Sequence, residues 1–173
     1  MKNLKYLFIL VILASASFSC KKDDVEEVTA TDDYTVTVNG NKLKDGDVLE
    51  TSSVGDEGNM KFAFTNTSSS KIFLRMKIKT ITGNPSPEVY QFCFGTCYAF
   101  VNESVSYPSY SDIYSVFSLD PNESTDSSLN HIECIEIRSE DFSFDVKLFQ
   151  CDEQGVELPS KKEINFTFSF VKP

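Results

Sequence analysis

Four cysteines in the second half of the chain are the side chains best suited to covalent chemistry: Cys93, Cys97, Cys134 and Cys151. An even number of cysteines in an exported domain indicates disulfides, and four cysteines allow three pairings. Cys93 with Cys97 would close a very short loop, and Cys134 with Cys151 would staple two late strands, contributing about 3 kcal/mol. We expect all four to be disulfide-bonded, and pairings between the central loop and the late strands stay open.

The sequence gives little support to redox chemistry, zinc binding or catalysis at these residues. A redox-active pair of the thioredoxin type has two intervening residues and opens a helix, whereas three residues separate Cys93 from Cys97. Zinc needs further ligands, and His131 is the only histidine. A Ser-His-acid site would also depend on His131, and no Gly-x-Ser-x-Gly turn is present. The sequence therefore predicts no catalytic residue, no metal site and no cofactor.

Tyrosines in the middle of the chain are candidates for ligand contact. Tyr107 and Tyr110 flank a Pro-Ser turn, and Tyr114 follows closely. A turn of this kind does not readily bury both rings, and an exposed tyrosine ring can stack on a sugar. We predict ligand contact at Tyr107, Tyr110 and Tyr114. The alternative is that these rings fill the core, which the absence of tryptophan favours.

Acidic residues offer oxygen ligands without a recognisable site. Asp45-Gly46-Asp47 and Asp56-Glu57 could contribute to calcium binding, but they lack the spacing of an EF-hand loop. Turn formation explains them adequately. Carboxylate pairs for glycoside hydrolysis cannot be singled out among 26 acidic residues.

The first residues have the features of a secretory signal. Lys2 and Lys5 precede the uninterrupted apolar run 7–13, and small residues follow it. A transmembrane helix needs about 20 apolar residues, so this run is too short. We interpret residues 1–19 as a signal peptide.

Two short motifs after the leader indicate the destination. Ser17-Phe18-Ser19-Cys20 resembles the lipobox of bacterial lipoproteins, in which the cysteine is acylated and becomes the new amino terminus. Lys21-Lys22-Asp23-Asp24 resembles the surface-export signal of Bacteroidota lipoproteins. Two or three acyl chains anchor a protein stably. The resemblance implies lipid attachment at Cys20 and exposure on the outer membrane, with a periplasm-facing anchor as the alternative.

Beyond Cys20 the chain divides into an acidic tether and one β-rich domain. Residues 20–33 are polar and lack aromatic side chains, which predicts a disordered tether. Residues 34–173 contain short runs with period-2 alternation and no helical stripe, so we predict an antiparallel β-sandwich of immunoglobulin-like or jelly-roll type with eight to nine strands. We further predict a hairpin through the loop 66–70. The candidate strands are 34–38, 60–64, 72–78, 89–94, 98–101, 114–119, 131–137, 142–149 and 164–171.

A second resemblance concerns the segment Phe92-Cys93-Phe94-Gly95-Thr96-Cys97-Tyr98. It is similar to the Phe-Cys-Trp-Gly-x-Cys-Tyr motif of secreted Bacteroidota proteins, with Phe94 in the place of tryptophan. The resemblance implies a β-sandwich domain with a disulfide-pinned bend surrounded by aromatic rings. It implies nothing about activity.

Charge narrows the range of partners. Without Lys2 and Lys5 the mature chain has 14 basic and 26 acidic residues, a formal charge of −12. This argues against nucleic acid, whose phosphates require clustered basic side chains. We predict a non-enzymatic surface lipoprotein with a binding, adhesion or envelope-structural role toward a glycan or protein. The alternatives are a glycan-binding accessory lipoprotein of a nutrient-uptake system, a small secreted hydrolase, and a fimbrial subunit that pairs through residues 166–171.

Overall fold

Apolar and polar side chains alternate along the long strands of this domain. The computed structural model describes residues 32–83, 85, 89–99, 101–109, 116–125, 127–136 and 140–173. The predicted signal peptide, Cys20 and the predicted tether as far as residue 31 lie outside these residues. Among the described residues, no helix has the length and apolar character to cross a membrane. The strands are β1 (Tyr34–Val38), β2 (Asn41–Lys42), β3 (Asp47–Thr51), β4 (Met60–Asn66), β5 (Ile72–Thr82), β6 (Tyr90–Phe94), β7 (Thr96–Tyr98), β8 (Ser106–Tyr107), β9 (Phe117–Leu119), β10 (Asn130–Cys134), β11 (Phe142–Cys151) and β12 (Glu163–Phe170).

These strands form two sheets that pack face to face. The first sheet has the order β2-β1-β4-β10-β6-β7. The second has the order β3-β12-β11-β5-β8, with β9 also paired to β5. The predicted β-sandwich is therefore confirmed. Asn39 and Gly40 both have positive φ and form the tight turn that connects β1 to β2.

The predicted hairpin through residues 66–70 is wrong, because β4 and β5 belong to different sheets. The Asn66 side chain is fully buried, and its Nδ2 donates to the carbonyl oxygens of Ser70, Leu119 and Asp120. These bonds hold the chain where it crosses from one sheet to the other. A polar loop between two apolar runs is compatible with either connection, so the local pattern could not separate them.

The second sheet is mixed rather than purely antiparallel, since β3 runs parallel to β12. β12 lies between β3 and β11, and its backbone is paired on both sides. β12 is therefore not free to add to another chain, so the fimbrial alternative is not supported by pairing through residues 166–171. Sequence could not reveal this pairing, because Asp47 and Phe166 are far apart in the chain.

Aromatic rings fill the space between the sheets. Phe62 of the first sheet contacts Phe166 of the second with ring centroids 5.6 Å apart, and Tyr90 contacts Phe144 at 4.9 Å. Each aromatic pair adds about 0.5–1.5 kcal/mol to the free energy gained from burial. One contiguous cluster of buried side chains extends through both sheets.

The amino-terminal edge of the described domain is held by ion pairs. Asp32 lies 2.7 Å from the Lys162 Nζ, and Asp33 lies 2.7 Å from the Lys161 Nζ. The Tyr34 hydroxyl also donates to the Lys162 carbonyl oxygen. The end of the predicted tether is thus fixed beside the turn that precedes β12.

Candidate functional site

A row of three side chains crosses the outer face of the first sheet. Cys93 on β6 is opposite Cys97 on β7 and opposite His131 on β10. The two sulfur atoms and a ring nitrogen of His131 all lie within 4.8 Å of one another. Within the part of the chain that the structure describes, this is the one group of three His, Cys, Asp or Glu side chains close enough to hold a metal ion. Sequence reasoning considered these residues separately and missed their proximity.

Two further polar residues border the histidine. Gln91 on β6 and Glu133 on β10 are opposite each other, two residues along these strands from Cys93 and His131 and on the same face of the sheet. The His131 Nε2 is 3.3 Å from the Gln91 Oε1 and 3.8 Å from the Glu133 Oε2. The ring is therefore held between an amide and a carboxylate, with only 13% of its side chain exposed.

The predicted disulfide between Cys93 and Cys97 is confirmed. A single residue, Gly95, connects the two strands with φ +71°, a left-handed conformation that glycine adopts without strain. Its N–H donates to the Asn130 Oδ1 at 3.0 Å. The bend thus depends on glycine and on a side chain from the neighbouring strand.

The predicted disulfide bonding of Cys134 and Cys151 is wrong, because both are free and buried. Cys134 is opposite Tyr90, whose ring contacts Phe144 near the start of β11. Cys151 ends the same strand, and seven extended residues after Phe144 span about 23 Å. A disulfide requires Cα atoms within about 7 Å. Burial raises the pKa of each thiol to about 12, which keeps the reactive thiolate scarce at neutral pH.

The structure also corrects one predicted ligand contact. The Tyr107 ring is only 3% exposed and packs against Phe92 and Tyr98. Its hydroxyl oxygen accepts from the Asn102 N–H at 2.9 Å. Tyr107 is therefore a core residue, because the short strand β8 directs it between the sheets. Tyr110 and Tyr114 lie outside the described residues.

Arg75 forms a second polar cluster that sequence reasoning missed. It is 3% exposed on the outer face of β5, opposite Phe149 of β11. Its guanidinium donates to the carbonyl oxygens of Pro108, Ser106 and Gly155. A shallow pocket of about 360 Å³ opens beside it. Because these acceptors are backbone carbonyl oxygens, Arg75 organises the loops that cover this face.

Several of the described carboxylates have structural partners. The Asp45 Oδ1 accepts from the backbone and side-chain N–H groups of Asn165, which lowers the pKa of Asp45. Glu157 and Glu163 both contact the Lys147 ammonium, at 2.6 and 2.7 Å. These contacts fix turns and strand ends and leave the acids bound rather than poised as a catalytic pair.

Comparisons with known proteins concern the fold alone. No protein-family model and no curated protein sequence matches the chain. Among solved structures, the N-terminal domain of PorA is 18% identical, with a TM-score of 0.44 over 79% of this chain and 96% of that one. The E. coli chaperone DraB is 10% identical, with a TM-score of 0.36 over 81% and 56%. A chain from the complex of the Salmonella enterica SafA pilin with the SafB chaperone is 12% identical, with a TM-score of 0.32 over 83% and 57%.

Proposed function

We propose that the chain is a non-enzymatic lipoprotein of the outer membrane, attached through Cys20 and exposed at the cell surface. Its sandwich domain has a binding, adhesion or envelope-structural role. The leader and the residues around Cys20 support the anchor, as described from the sequence. We infer the role of the domain from its filled core.

The observation that carries this proposal is the filled core. Buried side chains from both sheets form one cluster, and rings from the two sheets meet at its centre. Contacts with a ligand therefore fall to the outer faces, edges and loops. A groove of about 270 Å³ between the β1–β2 turn and β3 is one such surface. The side chain of Val48, 62% exposed, lines it.

The anchor is tested by comparing cells that produce the full chain with cells that produce Cys20→Ala. We expect the unchanged protein to incorporate a labelled fatty acid, to sediment with membranes and to be digested by protease added to intact cells. Cys20→Ala removes the acylated sulfur, so labelling is lost. Ser15→Ala, which leaves Ser17 to Cys20 intact, is the control and keeps the label. Equal labelling of Cys20→Ala would contradict the anchor, and protease resistance would contradict surface exposure.

The absence of catalysis is tested separately on the purified mature protein. We expect no turnover of ester, peptide or glycoside substrates above that of a heat-unfolded sample. The described carboxylates beside Lys147 are ion-paired, which suits them poorly to general acid catalysis. Reproducible turnover that is lost on unfolding would show an enzyme instead.

A further inference from the structure

We propose that Cys93, Cys97 and His131 form a zinc site that becomes available when their disulfide is reduced. The site is distinct from the lipid anchor and does not depend on it. In the oxidised protein the two sulfur atoms are bonded to each other. In the reduced protein they are two thiol ligands beside an imidazole.

The backbone already brings the three ligands together. β6 pairs with β10 along five residues and with β7 along three, so the three side chains project from neighbouring strands in one register. Their ligand atoms lie within 4.8 Å of one another. The Cα atoms of Cys93 and Cys97 are 3.9 Å apart. Cys93 and His131 are directly opposite each other, and Cβ atoms in such pairs lie about 5 Å apart, which limits how far the side chains can separate.

The set of donors suits zinc in both type and spacing. Thiolate sulfur and imidazole nitrogen are its usual ligands, at about 2.3 and 2.0 Å. In a tetrahedral site of that size the sulfur atoms are about 3.8 Å apart, compared with about 2 Å in a disulfide. The two sulfur atoms therefore move apart by roughly 2 Å when zinc binds. Three residues between two cysteines also fall within the spacing of structural zinc sites.

The surroundings of His131 favour metal binding. The Gln91 Oε1 and Glu133 Oε2 approach the same ring nitrogen, Nε2. Contacts of this kind on one ring nitrogen orient a histidine that binds a metal through the other nitrogen. A water molecule supplies the fourth ligand.

The exposure of the two sulfur atoms determines which of them a reductant attacks first. Cys97 is exposed, whereas Cys93 is only 2% exposed. A thiolate of an external dithiol attacks the Cys97 sulfur and forms a mixed disulfide, and the Cys93 sulfur leaves and takes up a proton. The second thiol of the reductant then releases Cys97, so the dithiol becomes a disulfide and the protein gains two thiols. Zinc binding releases the two thiol protons.

The test uses the mature protein in detergent, with the disulfide intact or reduced by a phosphine. Zinc affinity is measured against a chromophoric chelator, and cobalt is used as a spectroscopic substitute. We expect one zinc per reduced chain with Kd below about 0.1 μM, and a thiolate-to-cobalt charge-transfer band. The oxidised protein should bind at least about 100-fold more weakly, since both sulfur ligands are withdrawn.

Three variants identify the ligands. Cys97→Ser and His131→Gln should each lower the affinity of the reduced protein by about 100-fold. Cys151→Ala, which removes a thiol from the other sheet, should leave it unchanged. Equal binding by oxidised and reduced protein, or no effect of His131→Gln, would overturn the proposal. If reduction abolishes the β-sheet circular dichroism and zinc does not restore it, the proposal is overturned as well.

Discussion

Cysteines of this chain differ in reactivity because their surroundings differ. Cys93 and Cys97 meet across a two-strand bend on the outside of the first sheet. Cys134 belongs to the buried cluster between the sheets, and Cys151 is 1% exposed at the end of β11. An even cysteine count could not separate these two situations, because pairing depends on distances that only the fold supplies.

We expect Cys134 and Cys151 to resist a thiol reagent in the folded protein at pH 8. Burial raises the pKa of both thiols to about 12, so almost none of the thiolate is present at that pH. Alkylation followed by mass spectrometry should show no modification at either residue before unfolding and one at each after unfolding. The Cys93–Cys97 peptide is the internal control and stays unmodified until reduced. A disulfide between Cys134 and Cys151 in a non-reducing peptide map would contradict the structure.

Only some of the candidate site residues could be predicted from the sequence, because their proximity depends on how the strands pair. Cys93 and Cys97 are close in the chain, so their pairing could be anticipated. His131 reaches them through the β6–β10 ladder, and no local pattern predicts that register. Tyr107 was placed at the surface because its neighbours are turn residues, whereas the ring turns inward.

Strands were predictable where alternation is long and regular. β12 buries Ile164, Phe166, Phe168 and Phe170 on one face, as its sequence indicates. β2 and β8 contain two residues each, too few for a period to appear. β11 departs from alternation at its end, where Phe149 is buried on the outer face beside Arg75. That departure is the signal that could have indicated the covered arginine.

Replacing Arg75 tests how the loops on β5 are held. Arg75→Met keeps the aliphatic bulk but leaves the carbonyl oxygens of Pro108, Ser106 and Gly155 without this donor. We expect the free energy of unfolding to fall by about 2–5 kcal/mol, measured by urea denaturation. Lys79→Met on the same strand is the matched control, because Lys79 is exposed. A loss below about 0.5 kcal/mol for Arg75→Met would show that the loops do not depend on it.

At the scale of the whole molecule, stability rests on aromatic packing between the sheets. Phe64 is fully buried and contacts Phe62, Phe94 and Phe117. A sandwich could be anticipated from many short alternating runs, because each must bury one face against another sheet. The partners of each strand could not, since β4 and β5 follow each other in the chain but lie in different sheets.

Truncation of Phe64 should show how much of the stability comes from this packing. We expect Phe64→Ala to lower the free energy of unfolding by about 3–5 kcal/mol, because it leaves a cavity among rigid neighbours. Val48→Ala is the control at an apolar residue that is 62% exposed, and it should change stability by about 0.5 kcal/mol or less. Urea unfolding followed by tyrosine fluorescence measures both. Equal losses in the two variants would contradict the described core.

The parallel pairing of β3 with β12 fixes when the domain can close. β12 follows all the other described strands in the chain, yet it is the neighbour on which β3 depends. Distant partners must both be present before their pairing can repay the entropy of closing the loop between them. The pairing of β3 must therefore wait until β12 has been synthesised. If the proposed leader directs export, this late pairing keeps the second sheet incomplete, and the chain extended, while it passes through the translocation channel.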